Sequence, residues 1–487
     1  MKWTFILLLA LAVELSGCTM IPKYKQPVAP IPDQWPSGAA YSTEPVSSDS
    51  LETIQIKWQE FFTDANLQKV IAMAIENNRD LRLAVLNTKR ARGLYGISIA
   101  DLLPIGNASG SGNEQKASAD FTAPKTSMTS KFYDVNLGIA AWEVDFFGRI
   151  RSLEKQALED YLGTEEARRS VQISLVSDVA RMYLTIAAER ANLELAKSTL
   201  ETQLDAYQLI EKRYELKLAN EIDLRRVQTQ VDIAKGDVAQ FTQRVAQAQN
   251  ALNYLTGISI PEDLLPSSLA DTKPFKDISV GLSSAVLLRR PDIMAAEHRL
   301  KGSNANIGAA RAAFFPRISL TTTLGTASNE LSDLFTGGTK TWFYGAQATM
   351  PIFDARTWFA YRVSKADREI ALTQYEKAIQ TAFREVSDVL AVRGTVNQQI
   401  TAQRSLVDSS QKIYDLSQKR YNLGIDDYLS VLDAQRSLYS AQRELIFLQV
   451  AKLANEVRAY AVLGGGVDYP KEAKSSLVKK FFRIFRV

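Results

Sequence analysis

Cysteine and histidine each occur once in this 487-residue chain, as Cys18 and His298. One thiol closes no disulfide, and one imidazole with one thiol builds neither a two-histidine site nor a thiolate zinc cluster. His298 stands beside Glu297, but there is no phosphate-binding glycine loop and no Gly-x-Ser-x-Gly elbow. The sequence therefore argues against an enzyme and predicts no metal. Cys18 is placed where it can be modified. Met1-Lys2 gives a positive start, Trp3 to Val13 is an apolar run of 11 residues, and Leu15-Ser16-Gly17 lead into the cysteine. That run is too short to cross a bilayer, and a small residue before a cysteine at its end is the pattern of lipoprotein processing. Residues 1–17 are expected to be a signal peptide, and Cys18 to carry an N-acyl chain and an S-diacylglycerol. No other cofactor is expected.

The elements around these residues are set by proline and by hydrophobic period. Six of the 15 prolines lie from Pro22 to Pro45, so residues 18–50 read as an extended linker behind the lipid. Arg149 to Ser259 and Ile352 to Tyr469 contain no proline, which predicts long helices over 149–216 and 356–423. Each would be roughly 100 Å long at about 1.5 Å per residue. Leu224, Val227, Val231, Ala234, Val238, Phe241, Val245, Ala248, Leu252 and Leu255 alternate three and four apart, a sustained coiled-coil seam. The net charge of +4 is small and spread along the chain, which predicts no nucleic acid.

The chain also repeats. Tyr207, Lys212-Arg213-Tyr214 and Gln228 recur 207 residues later as Tyr414, Lys419-Arg420-Tyr421 and Gln435. Val176 to Val179 recur 210 later as Val386 to Val389, and Asp80 and Pro104 recur 212 later as Asp292 and Pro316. The drifting offset is that of a duplication with short insertions. It divides the chain into repeats at 51–267 and 268–466 and a basic amphipathic tail at 467–487. In the tail Leu477, Phe481, Ile484 and Phe485 are interleaved with Lys and Arg, a pattern that fits either a membrane or partner contact or a frayed end.

Each repeat reads helix, two strands, long helix, helix, with leading helices at 66–100 and 281–313. Val135, Leu137, Ile139 and Ala141 share one strand face. Ile318, Leu320, Thr322 and Leu324 do likewise, as do Trp342, Tyr344, Ala346, Ala348 and Met350. The strand at about 105–116 has the weakest pattern. Such alternation suits a sheet with lipid on one face and water on the other. Four strands cannot close a barrel with a lumen, and open edges in lipid are prohibitively costly. Two, three or four copies would give 8, 12 or 16 strands.

Several stretches resemble the outer membrane factor (TolC-like) family, and within it the OprM-like lipoprotein channels of RND-type tripartite efflux pumps. They are Glu76-Asn77-Asn78-Arg79-Asp80-Leu81-Arg82, Trp142-Glu143-Val144-Asp145-Phe146-Phe147-Gly148-Arg149, Arg290-Pro291-Asp292-Ile293, Ala309-Ala310-Arg311-Ala312-Ala313-Phe314-Phe315-Pro316, Tyr375-Glu376-Lys377-Ala378-Ile379-Gln380, Leu432-Asp433-Ala434-Gln435-Arg436-Ser437 and Leu463-Gly464-Gly465-Gly466. The resemblance implies a mainly α fold with β. Three protomers would give four strands each to a 12-stranded outer-membrane barrel, continuous with a coiled-coil tunnel in the periplasm.

It further implies a multidrug efflux duct with no energy source of its own. Its partners would be a periplasmic adaptor, an inner-membrane RND transporter and outer-membrane lipid, which Cys18 would enter. The periplasmic end would be shut by the second helical pair, at positions that fall here on Arg420, Tyr421, Leu429 and Asp433, with Glu189 as the acid tied to Arg420. The adaptor-docking tips would be Lys217-Leu218-Ala219-Asn220 and Gly424-Ile425-Asp426. Leu429 and Asp433 are four apart on one helix face, so symmetry would stack an apolar constriction on a carboxylate ring. The alternatives are an outer-membrane channel for protein secretion and a non-channel coiled-coil lipoprotein scaffold.

Overall fold

A computed structural model describes residues 19–41, 56–121, 126–269, 275–276 and 283–465. The signal peptide, Cys18 and the tail at 467–487 lie outside the described residues. In chain order the helices are α1 (Trp58–Phe61), α2 (Ala65–Asn77), α3 (Arg79–Ala100), α4 (Arg149–Glu215), α5 (Glu221–Thr256), α6 (Pro291–Ala312), α7 (Ala355–Asn422) and α8 (Tyr428–Val462). The strands are β1 (Gly106–Ala117), β2 (Met128–Val144), β3 (Arg317–Ser328) and β4 (Lys340–Thr349), in one antiparallel sheet of order β1-β2-β3-β4. Among the described residues no helix is long and apolar enough to cross a membrane.

Contacts divide the chain into two compact units, and each unit draws on both sequence repeats. Among the described residues, one is made from 19–28, 86–121, 126–165 and 295–376, the other from 29–41, 56–85, 166–269, 275–276, 283–294 and 377–465. The first holds the sheet, most of α3 and α6, and the starts of α4 and α7. The second holds α2, α5, α8 and the remainder of the two longest helices, which run to 67 and 68 residues.

Two expected helices differ from their observed form. The helix expected over 66–100 breaks at Asn78, whose backbone is extended (φ −63°, ψ 132°). There its Oδ1 accepts the Leu81 N–H at 2.8 Å and its Nδ2 donates to Leu255 O at 2.8 Å, so the break is a cap held by α5. The helix expected over 281–313 begins at Pro291, because a proline favours the first helical position and holds the residue before it extended. A short 3-10 turn, Ser284–Arg289, stands ahead of it.

The proline-rich start is extended, as its composition predicts, but fastened rather than free. Within the first unit Asn304 Nδ2 donates to Pro22 O at 2.8 Å, and Tyr24 Oη donates to Glu297 Oε1 at 3.0 Å. A Cβ on Gly308 would come within 2.6 Å of Ile21 Cγ1, so this segment sits on α6 at a distance only glycine permits. Within the second unit Ser284 Oγ donates to Pro32 O at 2.6 Å, and Trp35 stacks on Phe383 at 5.3 Å.

The ten-residue seam of α5 lies on its packed side. Val227, Val231, Ala234, Phe241, Ala248 and Leu252 are buried, and the other four are half-buried.

Candidate functional site

The sheet is two-faced. Its registers set Leu137, Trp142 and Val144 of β2 opposite Leu324, Leu320 and Ile318 of β3, and those opposite Trp342, Ala346 and Ala348 of β4, with Val135, Ile139 and Tyr344 on the same face. Asn107, Ser109, Ser111, Asp134, Asn136, Thr323 and Gln347 fall on the opposite face. A bulge preserves the division. Ala140 and Ala141 together oppose Thr321, Ala141 takes φ 51°, and its N–H donates to Thr321 Oγ1 at 3.1 Å. Strict alternation assigns Ala141 to the apolar face; the extra residue hands that place to Trp142, whose indole N–H reaches Leu102 O at 3.3 Å. A Cβ on Gly138 would fall 2.1 Å from Thr322 O, and one on Gly325 2.1 Å from Val135 O. Both glycines are on the polar face, where neighbouring strands approach at a closeness only glycine allows. Among the described residues β1 and β4 are open edges.

At the other chemically distinctive place, α4 turns into α5 and α7 turns into α8. The two turns match bond for bond, 207 residues apart. Leu218 N donates to Arg213 O at 2.7 Å, as Ile425 N does to Arg420 O at 2.9 Å. Lys217 N donates to Tyr214 O at 2.9 Å, as Gly424 N does to Tyr421 O at 3.0 Å. Asn220 caps α5 through Asp223 N, and Asp427 caps α8 through Ser430 N. Lys217 and Gly424 share the left-handed conformation, at φ 59° and 71°. Beneath the turns a core of Ile210, Val227, Tyr428, Val431 and Leu432 joins the two helical pairs, with Tyr207, Ala219, Tyr414 and Tyr421 packed on it. Leu218 and Leu423 stand 74% and 75% exposed at the turns, beside Ile425, so the tips carry apolar side chains that nothing among the described residues covers.

The expected gate residues fall as follows. Arg420 is held by Asp426, Nε to Oδ2 at 2.6 Å and Nη2 to Oδ1 at 2.9 Å, a bidentate pair within one turn. That hydrogen bond keeps the Asp426 carboxyl below the usual carboxylate range. Tyr421 meets Tyr428 edge-on at 5.0 Å. Leu429 and Asp433 lie in the first two turns of α8, with Leu429 37% exposed and Asp433 paired to Arg436.

Glu189 is a correction: it does not reach Arg420. It lies 26 residues before the end of α4, about 40 Å at 1.5 Å per residue. Its charged neighbours are Arg244 and Arg443, and burial pushes its carboxyl up against their pull. Cys18 is outside the described residues.

Sequence reasoning missed the contacts that join the repeats above the tip. Gln203, 4% exposed on α4, donates Nε2 to Gln435 Oε1 on α8 at 2.7 Å, and Tyr439 Oη donates to Asp237 Oδ2 at 2.9 Å. It also missed the role of Arg290. This guanidinium, 8% exposed, donates to both carboxylate oxygens of Asp292, to Glu385 Oε2 at 2.9 Å and to Val462 O at 2.8 Å. The repeat offset was the signal that could have found it, since Asn78 and Leu255 are the corresponding pair in the first half.

The family profile described as "Outer membrane efflux protein" matches residues 70–258 and 282–465. The chain is 45% identical over 463 residues to the toluene efflux pump outer membrane protein TtgC of Pseudomonas putida, covering 94% of this chain and 95% of that protein. It is 40% identical over 406 residues to the outer membrane protein OprJ of Pseudomonas aeruginosa, covering 83% and 84%. In three dimensions it resembles the open state of the MtrE outer membrane channel of Neisseria gonorrhoeae with a TM-score of 0.82 and 36% identity, covering 92% of this chain and 98% of that one.

Proposed function

The chain belongs to the outer membrane efflux protein family, and from that premise we propose that three copies assemble into one conduit from the periplasm to the outside. It is an outer-membrane efflux channel with a TolC-like fold. The observation that carries the assembly is the sheet. It is apolar on one face, polar on the other, and open at β1 and β4. A bilayer does not tolerate unpaired strand edges, so the edges must meet those of identical chains, and a 12-stranded ring leaves a polar lumen.

The duct has no means of driving transport and no catalytic role. An adaptor in the periplasm and an inner-membrane RND transporter supply energy and selectivity, and Cys18 carries the lipid that holds the amino terminus in the outer membrane. The cargo is small: relatives bear names that speak of toluene, of solvents and of antibiotics. The apolar tips Lys217 to Asn220 and Gly424 to Asp426 dock the adaptor, and the start of α8 closes the pore at rest. Three Leu429 side chains would form the constriction, three Asp433 carboxylates, each beside its Arg436, a charged ring, and Arg420 and Tyr421 would brace the turn behind them.

The test is electrical. Purified protein in a planar bilayer should form trimers that conduct weakly, and Arg420→Ala with Asp433→Ala should raise that conductance severalfold. A monomer, or a trimer that passes no ions even after the helical end is proteolysed, overturns the duct. Wild-type conductance in well-folded double-variant trimers overturns the gate alone.

A further inference from the structure

The two tips share their backbone but not the residue that meets the arginine of the turn. In the second repeat Arg420 is captured by Asp426, the residue two beyond Gly424 in its own turn. In the first repeat Arg213 holds the same place, but the residue in the position of Asp426 is Ala219. Arg213 has no acid at that position to fold back on, and it extends to the other repeat. Its guanidinium lies over the ring of Tyr421 at 5.0 Å from the centroid. Tyr421 in turn packs edge-on against Tyr428, which is 6% exposed in the core shared by α4, α5 and α8.

We propose that Arg213 is a positioning residue of the gate: stacked on Tyr421, it holds the tip of the second helical pair against the first, and the absence of an acid at 219 is what leaves it free to do so. A guanidinium over an aromatic face is held by the ring quadrupole within about 6 Å of the centroid, with no fixed hydrogen-bond geometry. It tolerates small sliding of α7 against α4 yet is lost when the helices part. The bidentate pair of Arg420 has the opposite character, because it stiffens one turn and bridges nothing. The same arginine thus serves as a brace within the second repeat and as a clasp between repeats in the first. This rests on the reading of α7 and α8 as the moving pair.

The experiment restores the missing acid. Ala219→Asp should draw Arg213 into its own turn, as Asp426 does Arg420, and raise the resting conductance of purified trimers in planar bilayers. Loss of one half-buried cation–π contact corresponds to at least about a two- to fivefold shift in a two-state equilibrium for each protomer. Arg213→Gln should produce a rise of the same size, and Ala219→Asp on that background should add nothing. An Asn at 219 that raises conductance as much as Asp does, or an Ala219→Asp effect that survives Arg213→Gln, overturns the proposal. If Ala219→Asp fails to assemble, Arg213→Gln and Tyr421→Leu decide it, since both remove the stack and both must raise conductance. A silent Arg213→Gln beside a leaky Arg420→Ala, Asp433→Ala double variant would sink the clasp and leave the gate standing. Silence in every variant would sink the gate itself.

Discussion

The two repeats solve the same packing problem with different chemistry. Where α2 ends, Asn78 donates its amide N–H to Leu255 O near the end of α5. At the corresponding place ahead of α6, Arg290 donates to Val462 O at the end of α8, 212 and 207 residues further on. The carbonyl served is equivalent, but the donor is neutral in one half and charged in the other. The surroundings follow suit. Arg290 faces Glu385 on α7, whereas the position 210 residues before Glu385 is Leu175, buried at 6%. At the turns the backbone is shared and the charge is not: Ala219, Asn220 and Arg226 stand where the second half has Asp426, Asp427 and Asp433. The lesson is that duplication kept the hydrogen bonds that define the frame and let side-chain charge diverge where the halves do different work.

The sharpest way to break this comparison is at the strands. β4 alternates without interruption, whereas β2 needs the Ala140–Ala141 bulge to keep Trp142 on the apolar face. Inserting one further alanine after Ala141 should move Trp142 and Val144 to the polar face, because side chains alternate with period two and the bulge already absorbs one extra residue. The expected outcome is loss of the detergent-stable oligomer on size exclusion; a normal trimer would show that the two faces do not depend on the register at this bulge.

Next in size is the pair of donors at the end of α2 and the start of α6. Arg290→Ala strands Glu385, Asp292 and a buried carbonyl, and should cost about 3–5 kcal/mol. Asn78→Ala, which strands one carbonyl and one amide, should cost about 1–3 kcal/mol. Thermal unfolding of the two variants checks the order. Arg290→Asn combined with Glu385→Leu transplants the neutral solution of the first repeat and should recover most of the loss, since a buried ion pair replaced as a unit is often close to neutral. Failure to recover would mean that the halves have diverged in backbone as well as in charge.

What the residues revealed in advance, and what they hid, follows from the range of the interactions. The α5 seam was legible because burial with a heptad period writes itself into ten successive seam positions, from Leu224 to Leu255. The break at Asn78 was not, because asparagine is only mildly unfavourable in a helix and what stops it is a carbonyl at Leu255, 177 residues away. The bulge was hidden because Ala141 suits either face, so the alternation looked unbroken. Arg420 was assigned to Glu189 by analogy, while its acid lay six residues ahead in a turn whose geometry brings them together. The sheet gave its faces away yet not the close strand approach at Gly138 and Gly325, where a Cβ would meet a backbone oxygen of the neighbouring strand.

The smallest expected effect tests whether the two turns are equivalent in energy as well as in shape. Lys217 occupies the left-handed region at φ 59° where its counterpart is Gly424 at φ 71°. A side chain with a Cβ is disfavoured there by about 1 kcal/mol or more, while glycine adds back part of that in unfolded-chain entropy. Lys217→Gly should therefore stabilise the first turn by a net of about 0.5 kcal/mol, and Gly424→Lys should weaken the second by a similar amount. Such values are too small for the melting temperature of so large a chain, but amide exchange reads them locally. The N–H groups of Leu218 and Ile425, which close the two turns on Arg213 and Arg420, should slow and quicken by about twofold respectively. Opposite signs at the two sites would confirm one turn built twice. Equal signs would mean that the lysine is held by contacts the glycine turn lacks, and that the tips diverged in backbone energetics before they diverged in charge.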